Sequence, residues 1–256
     1  MHPVFLRWGS HVVYWYSALI WLGLVSALVY ALWQAPRAGL DRSHLLDAAL
    51  CLLAGGLLGA RAAYVIPNWA DYGGRPEALL GFWGGGYSFQ GGLFGGALGL
   101  WLYSLVAHQS FLRLADVAAP AVALGQSIGW AGAWVHGANY GLVVRSAFSM
   151  WLPDLYGVYG PRLPVQMLAC LLGALLFLQL HRLRRRHLPG GLVALLYLLG
   201  NGTLHFVLDF MRADETFYMG PLRWTQVAEL AEVVLGLAIL LYLHATRNAT
   251  ATEKSR

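Results

Sequence analysis

The chain has 256 residues, of which 58% are hydrophobic and only 11% charged, with a formal net charge of +5. A soluble domain carries roughly a quarter charged residues, so this composition excludes a soluble globular protein and points to repeated passage through a bilayer. The positive charge falls in connections, with no basic stripe interleaved with aromatics, which argues against nucleic acid as a partner.

Apolar runs mark seven spans, roughly residues 11–33, 45–66, 88–107, 117–136, 164–180, 190–211 and 225–244. They predict an all-α polytopic membrane protein with seven transmembrane helices and external loops. Residues 1–245 read as a single membrane domain and 246–256 as a disordered polar tail. The first run is too long for the apolar part of a cleavable signal. Ten cationic residues (Arg37, Arg42, Arg113, Arg182, Arg184, Arg185, Arg186, Arg247, Lys254 and Arg256) fall on one side, against six (Arg7, Arg75, Arg145, Arg162, Arg212 and Arg223) on the other. Positive charge stays inside, so the tail is expected in the cytoplasm and the N-terminus outside. Cys51 and Cys170 sit within apolar runs and lack metal-ligand spacing. Neither a metal nor a redox role is expected of them.

Taken in order, the first unusual residue is Arg61, about 7–8 Å inside the end of span two at 1.5 Å per residue. Its long side chain either snorkels outward or faces inward as a ligand. Tyr64 shares its helical face, and a guanidinium beside a phenol suits a phosphate. Residues 82–99 hold eight glycines. Gly84, Gly85 and Gly86 give a permissive loop, while Gly91, Gly92, Gly95, Gly96 and Gly99 leave two helix faces smooth. This reads either as a tightly packed membrane helix or as a backbone-lined pocket with Gln90 at its mouth.

Span four ends in AGAWVHGANYG, where His136 is either a solvated interfacial histidine or a working imidazole. The segment 138–163 carries Trp151, Tyr156 and Tyr159, suited to an interfacial aromatic belt formed by a short surface helix or by loops. Entering span five, Arg162 meets either solvent or an anionic headgroup, while Gln166 faces the bundle. The run HRLRRRH after span five is a topology signal or a headgroup patch. Span six places His205, Asp209 and Arg212 on one helical face. They must face the bundle or a wet cavity, either as a self-satisfied triad or as a site. Glu229 and Glu232 share a face of span seven near its start, where the helix dipole accounts better for Glu229.

Five of these segments resemble, in order, motifs of the prolipoprotein diacylglyceryl transferases. VVYWYSAL is similar to the family's HWYG-type motif, with Tyr16 at its tyrosine. GARAAYVI matches G-x-R-x-x-Y through Gly59, Arg61 and Tyr64. WGGGYSFQGGLFG resembles W-x-GG-x-SFHGGLIG, with Ser88 and Gln90. The stretch from Asp116 to Gly141 falls on the family signature, and LHFVLDFMRAD on FR-x-x-x-E-x-x-R. The resemblance spans about residues 2–243 and implies a multi-pass enzyme of the bacterial cytoplasmic (inner) membrane. Such an enzyme transfers a diacylglyceryl group from phosphatidylglycerol to the lipobox cysteine thiol of a prelipoprotein, with no diffusible cofactor or metal.

That chemistry needs cations beside a phosphate and a base beside a sulfur. On this reading His136 and His205 do the proton work. Tyr16, Arg61, Tyr64, Ser88, Gln90, Asn139, Arg162, Gln166, Asp209 and Arg212 bind the substrates. The chain departs from the family pattern at several polar positions. Gln90 stands for its histidine, Trp130 for the signature arginine, Ala133 and His136 for two asparagines, and Ala138 for a glutamate. His205 replaces the first arginine of the sixth-span motif, and the histidine and glutamate of the span-five entry are also lost. Two other readings stay open: a transferase acting on another lipid or acceptor, and a non-catalytic membrane protein that binds a lipid or a partner.

Overall fold

The computed structural model describes residues 4–8, 11–74, 79, 81, 85–186 and 188–254. Residues 82–84 of the glycine-rich stretch, and Arg75 and Arg256 of the charge pattern, lie outside the described residues. Seven of the described helices are long and apolar enough to cross a membrane. They are α1 (Trp15–Gln34), α2 (Arg42–Val65), α3 (Phe89–Val106) and α4 (Phe111–His136). α5 (Val165–Arg184), α6 (Leu192–Asp209) and α7 (Trp224–Lys254) complete the set. Trp21, Val25 and Val29 of α1 and Leu237, Leu241 and Tyr242 of α7 are exposed, as expected of faces solvated by lipid rather than water.

The connections contain more strand than expected. Residues 11–14, predicted as the start of the first span, form a strand, β2 (His11–Tyr14), paired antiparallel with β1 (Val4–Trp8). Val12, Val13 and Tyr14 are β-branched or aromatic residues that favour a pleated surface. The segment 138–163, predicted as a surface helix or loops, contains the hairpin β3 (Met150–Pro153) and β4 (Tyr159–Arg162). Pro153 and Pro161 disfavour a helix there, and Gly157 takes a left-handed φ of +81° in the turn. A third pair, β5 (Tyr218–Met219) and β6 (Leu222–Arg223), leads into α7. At the other end, α7 continues helical to Lys254, where a disordered tail was expected from residue 246. No glycine or proline interrupts that stretch, and its alanines favour helix.

The chain divides into two compact units, Leu28–Ala118 and the combination of Met1–Ala27 with Ala119–Arg256. In the unit Leu28–Ala118, α2 starts at the N-cap Asp41, whose side chain accepts from the Ser43 amide at 3.2 Å. α3 starts at Ser88, whose hydroxyl accepts from the Gly91 amide at 3.3 Å. The two helices meet glycine to glycine. A Cβ on Gly59 would lie 2.8 Å from Gly95 Cα and would strike the Gly91 carbonyl, and one on Gly95 would strike the Gly55 carbonyl. In lipid, where apolar surface gains nothing by leaving water, such backbone contact supplies the packing that holds helices together. The glycine repeat is therefore a packing face.

The other unit uses the same device more sparingly. A Cβ on Gly23 of α1 would lie 2.7 Å from the Gly125 carbonyl of α4, and one on Gly202 of α6 2.9 Å from the Glu229 carbonyl of α7. Ser127 of α4 donates to the Cys170 carbonyl of α5 at 2.8 Å. Val165, Ala169 and Leu208 form a buried apolar cluster against which Trp130 and Met211 pack.

Gly95→Leu is expected to destabilise the protein by about 3 kcal/mol through overpacking at this contact. Gly74→Ala, where an added Cβ meets nothing within 4 Å, should stay within about 0.5 kcal/mol of the parent. Thermal unfolding of both variants in detergent measures the difference, and equal stabilities would refute the packing role.

Candidate functional site

The predicted site residues fall into clusters within each of the two units. In the first unit Arg61 is buried, and its guanidinium holds a loop. Nε donates to the Leu79 carbonyl at 3.1 Å, and Nη1 to the Gly85 and Gly86 carbonyls at 2.6 and 3.1 Å. The rings of Tyr72 and Tyr87 lie 5.1 and 5.9 Å from its guanidinium carbon. Gly86 has φ +80°, and a Cβ there would meet the Tyr64 ring at 2.5 Å. Glycine is thus required both by conformation and by space. The Ser88 amide donates to the Ala60 carbonyl at 3.0 Å, which closes the loop onto α2. Gln90 is buried behind it and accepts from the Ser88 hydroxyl at 3.4 Å. Arg61, Tyr64, Ser88 and Gln90 are therefore brought together, with Arg61 bonded to carbonyl oxygens.

In the second unit the segment 138–142 is clamped between the entry to α5 and the exit of α6. Gln166 Nε2 donates to the Ala138 carbonyl at 2.9 Å. Arg162 Nη1 donates to the Gly141 carbonyl at 3.4 Å, and its guanidinium lies 4.7 Å from the Tyr140 ring. Nη2 pairs with Asp154 at 2.8 Å. From the α6 side, the Leu142 and Ala213 amides bond the Met211 and Tyr140 carbonyls, each at 2.9 Å. Arg212 Nη2 donates to the Asn139 side chain at 3.1 Å. Asn139 itself takes a left-handed φ of +53°, a conformation its short amide tolerates.

Arg212 sits in a knot of charges. Nη1 pairs with Asp209 at 2.7 Å and Nη2 with Asp214 at 2.6 Å, while Nε donates to Asp214 at 2.8 Å. Arg223 reaches Asp214 at 3.2 Å and Asp209 at 3.9 Å. Thr225 donates to the second oxygen of Asp209. Burial opposes the charge on Arg212, but its bonds to Asp214 and the nearby charges of Asp209 and Asp214 outweigh that, raising its pKa further above the ordinary guanidinium value. Two cations face two carboxylates here, so the knot is neutral as it stands.

The two histidines have different surroundings. His205 is buried and lies flat against Trp130, ring centroids 5.4 Å apart at 13°. The Tyr197 hydroxyl donates to Gln126 Oε1 at 3.2 Å, and Gln126 Nε2 lies 2.9 Å from His205 Nε2. With the amide oriented this way, His205 Nε2 is the acceptor of that bond. His136 is half-buried at the end of α4, stacked on Tyr16 at 5.3 Å and 25°, with Tyr14 edge-on at 6.0 Å. Its Nδ1 is shielded from solvent and has no hydrogen-bond partner among the described residues.

Sequence reasoning missed Gln126, Asp154, Asp214 and Tyr197. A lone amide within the fourth span was a signal for Gln126, because a polar side chain there needs a partner. Asp214, two residues after Arg212, was legible as a neighbour. Asp154 and Tyr197 depend on contacts that no spacing reveals.

The family model for prolipoprotein diacylglyceryl transferase matches residues 3–242. A phosphatidylglycerol–prolipoprotein diacylglyceryl transferase of Bacillus licheniformis is 30% identical over 252 residues, covering 94% of this chain and 92% of the relative. Relatives of the same name from Streptococcus agalactiae and Gloeobacter violaceus are each 30% identical. They are aligned over 94% of this chain and over 96% and 93% of their own lengths.

Asp214→Ala removes one of the two carboxylates facing Arg212 and Arg223. It is expected to cost about 3 kcal/mol of stability, in keeping with the breaking of a largely buried pair. Glu215→Ala, at an exposed neighbour, should change stability by less than about 0.5 kcal/mol. Identical melting curves for the two variants would show that the knot holds nothing together.

Proposed function

The chain belongs to the prolipoprotein diacylglyceryl transferase family, and we propose that it transfers a diacylglyceryl group from phosphatidylglycerol to the cysteine thiol of prelipoproteins. In that reaction the cysteine sulfur bonds to the glyceryl carbon that carries the phosphate ester. The carbon–oxygen bond breaks, the electron pair leaves with glycerol phosphate, and the thiol proton passes to a base. A chain of seven spans has its lipid substrate at hand in the bilayer. On the same reading the protein lies in the bacterial cytoplasmic membrane, with its N-terminus outside and residues 246–256 in the cytoplasm.

The observation that carries the assignment of residues is the state of His136. An imidazole is the commonest general base, and one ready for a substrate proton needs a nitrogen that no protein group occupies. Among the described residues no group bonds His136 Nδ1, and its ring stacks on Tyr16. We assign the base to His136. His205, stacked on Trp130 with Nε2 engaged by Gln126, is better suited to positioning. Arg162 and Arg212 already face carboxylates, and their proposed part is to hold the segment carrying Asn139 and Gln166's partner, Ala138. For Arg61, Tyr64, Ser88 and Gln90, which cluster within the other unit, the proposed part in substrate binding rests on the family motifs alone.

The test is rescue of a bacterial strain depleted of its own transferase, paired with an in vitro assay using phosphatidylglycerol vesicles and a lipobox peptide. The wild-type chain should rescue growth and give a thioether-linked product. His136→Ala should lower the rate by about 10²–10⁴-fold, the usual worth of a general base. A folded wild-type chain that neither rescues nor transfers would sink the transferase reading. Full activity in His136→Ala would move the base elsewhere.

A further inference from the structure

Glu232 is completely buried within the membrane-crossing part of α7, and none of the ion pairs described above includes it. Among the described residues one hydrogen bond reaches it: Asn201 Nδ2 on α6 donates to Glu232 Oε2 at 3.0 Å. Asn201 is itself only 2% exposed. The other oxygen of each group, Glu232 Oε1 and Asn201 Oδ1, is shielded from solvent and has no partner among the described residues. Both of those atoms are acceptors as long as the carboxyl is ionised. The helices cross closely at this level, since a Cβ on Gly202 would lie 3.1 Å from Glu232 Cβ and 2.9 Å from the Glu229 carbonyl.

A single proton resolves both orphans. Placed on Oε1, it turns that oxygen into a donor to Asn201 Oδ1, while Oε2 goes on accepting from Nδ2. Acid and amide then close on each other through two reciprocal hydrogen bonds. A hard metal cation would want six or so oxygen ligands, far more than Glu232 Oε1 and Asn201 Oδ1 offer. An ionised carboxylate in hydrocarbon with one amide bond would bear most of its desolvation penalty.

The neighbouring titratable groups do not supply a counter-charge in this geometry. Tyr197, one turn from Asn201 on α6, donates to Gln126, and His205, one turn the other way, is engaged by the same amide. Glu229, one turn from Glu232 on α7, is a second acid and disfavours a second negative charge beside it. We infer that Glu232 and Asn201 form a proton-binding site inside the membrane, a carboxylic acid locked onto a carboxamide that joins α6 to α7 without net charge. This stands apart from the transferase reading and needs no substrate.

The test compares infrared spectra of the full-length wild-type protein and E232Q in lipid nanodiscs at neutral pH, alongside thermal unfolding. The wild type should show a protonated-carboxyl carbonyl band that is lost in E232Q. E232Q should keep the wild-type melting temperature, because glutamine offers the same acceptor and donor to Asn201. E232L and N201L, which abolish the reciprocal pair, should melt lower. Loss of a carboxylate band in E232Q in place of the acid band would overturn the inference. So would an E232Q that melts as low as E232L or fails to fold. Should E232L not fold, the wild-type and E232Q comparison still decides.

Discussion

The charge knot at the end of α6 is the constraint on which the second unit depends. Asp209 and Asp214 face Arg212 and Arg223, and Thr225 and Asn139 take up remaining bonding capacity. Removing any of these charges from water carries a penalty of several kcal/mol that mutual attraction repays only in good geometry. The knot therefore fixes where several segments can go. It ties the last turn of α6 to the first turn of α7 and draws residues 139–142 across to 211–213. Arg162 and Asp154 repeat the arrangement on the other side of the same segment. Each arginine on this face is held by a carboxylate.

Away from the charges, adhesion between helices takes two forms. α2 and α3 meet through bare glycine backbone, where dispersion at close range replaces a hydrophobic effect that lipid does not supply. The helices of the other unit mix such crossings, at Gly23 with Gly125 and at Gly202, with polar ties. Ser127 to Cys170, Tyr197 to Gln126 to His205, and Asn201 to Glu232 each join neighbouring helices. Polar ties of this kind give direction to the packing. A glycine face permits close approach in several registers, whereas an amide meeting an acid fixes one.

This division explains what could be read in the chain beforehand. The spans were legible because hydropathy over about 20 residues has a single cause, the thickness of the bilayer. The glycine spacing announced a smooth face, and Asp209 with Arg212 announced a local pair. The hairpins were hidden, since strands of four or five residues punctuated by Pro153, Pro161 and Gly157 carry almost no periodic signal. The partners that complete each polar group were hidden too. Arg223 reaches Asp214 only once the β5–β6 hairpin between them has formed, and Arg212 reaches Asn139 only after segments far apart in sequence have been brought together. Where local spacing sufficed, a partner was visible; where tertiary contact was needed, it was not.

The departures from the family motifs look different once their geometry is known. Trp130 stands where the signature has an arginine and His205 where the sixth-span motif has another, and the two rings stack face to face. Two guanidiniums placed so close would repel unless an acid lay between them, and the signature glutamate is Ala138 here. Losing the three together removes two positive charges and one negative, whereas losing the glutamate alone would leave two guanidiniums facing each other in a low-dielectric setting. An aromatic pair needs no counter-ion and gains from contact area. The chemistry retained here must therefore run with less fixed positive charge around Trp130 and His205. On the proposal made above for His136, proton transfer gains relative weight as phosphate electrostatics loses it, and its Nδ1, which has no hydrogen-bond partner among the described residues, is the group of this unit on which that proposal rests.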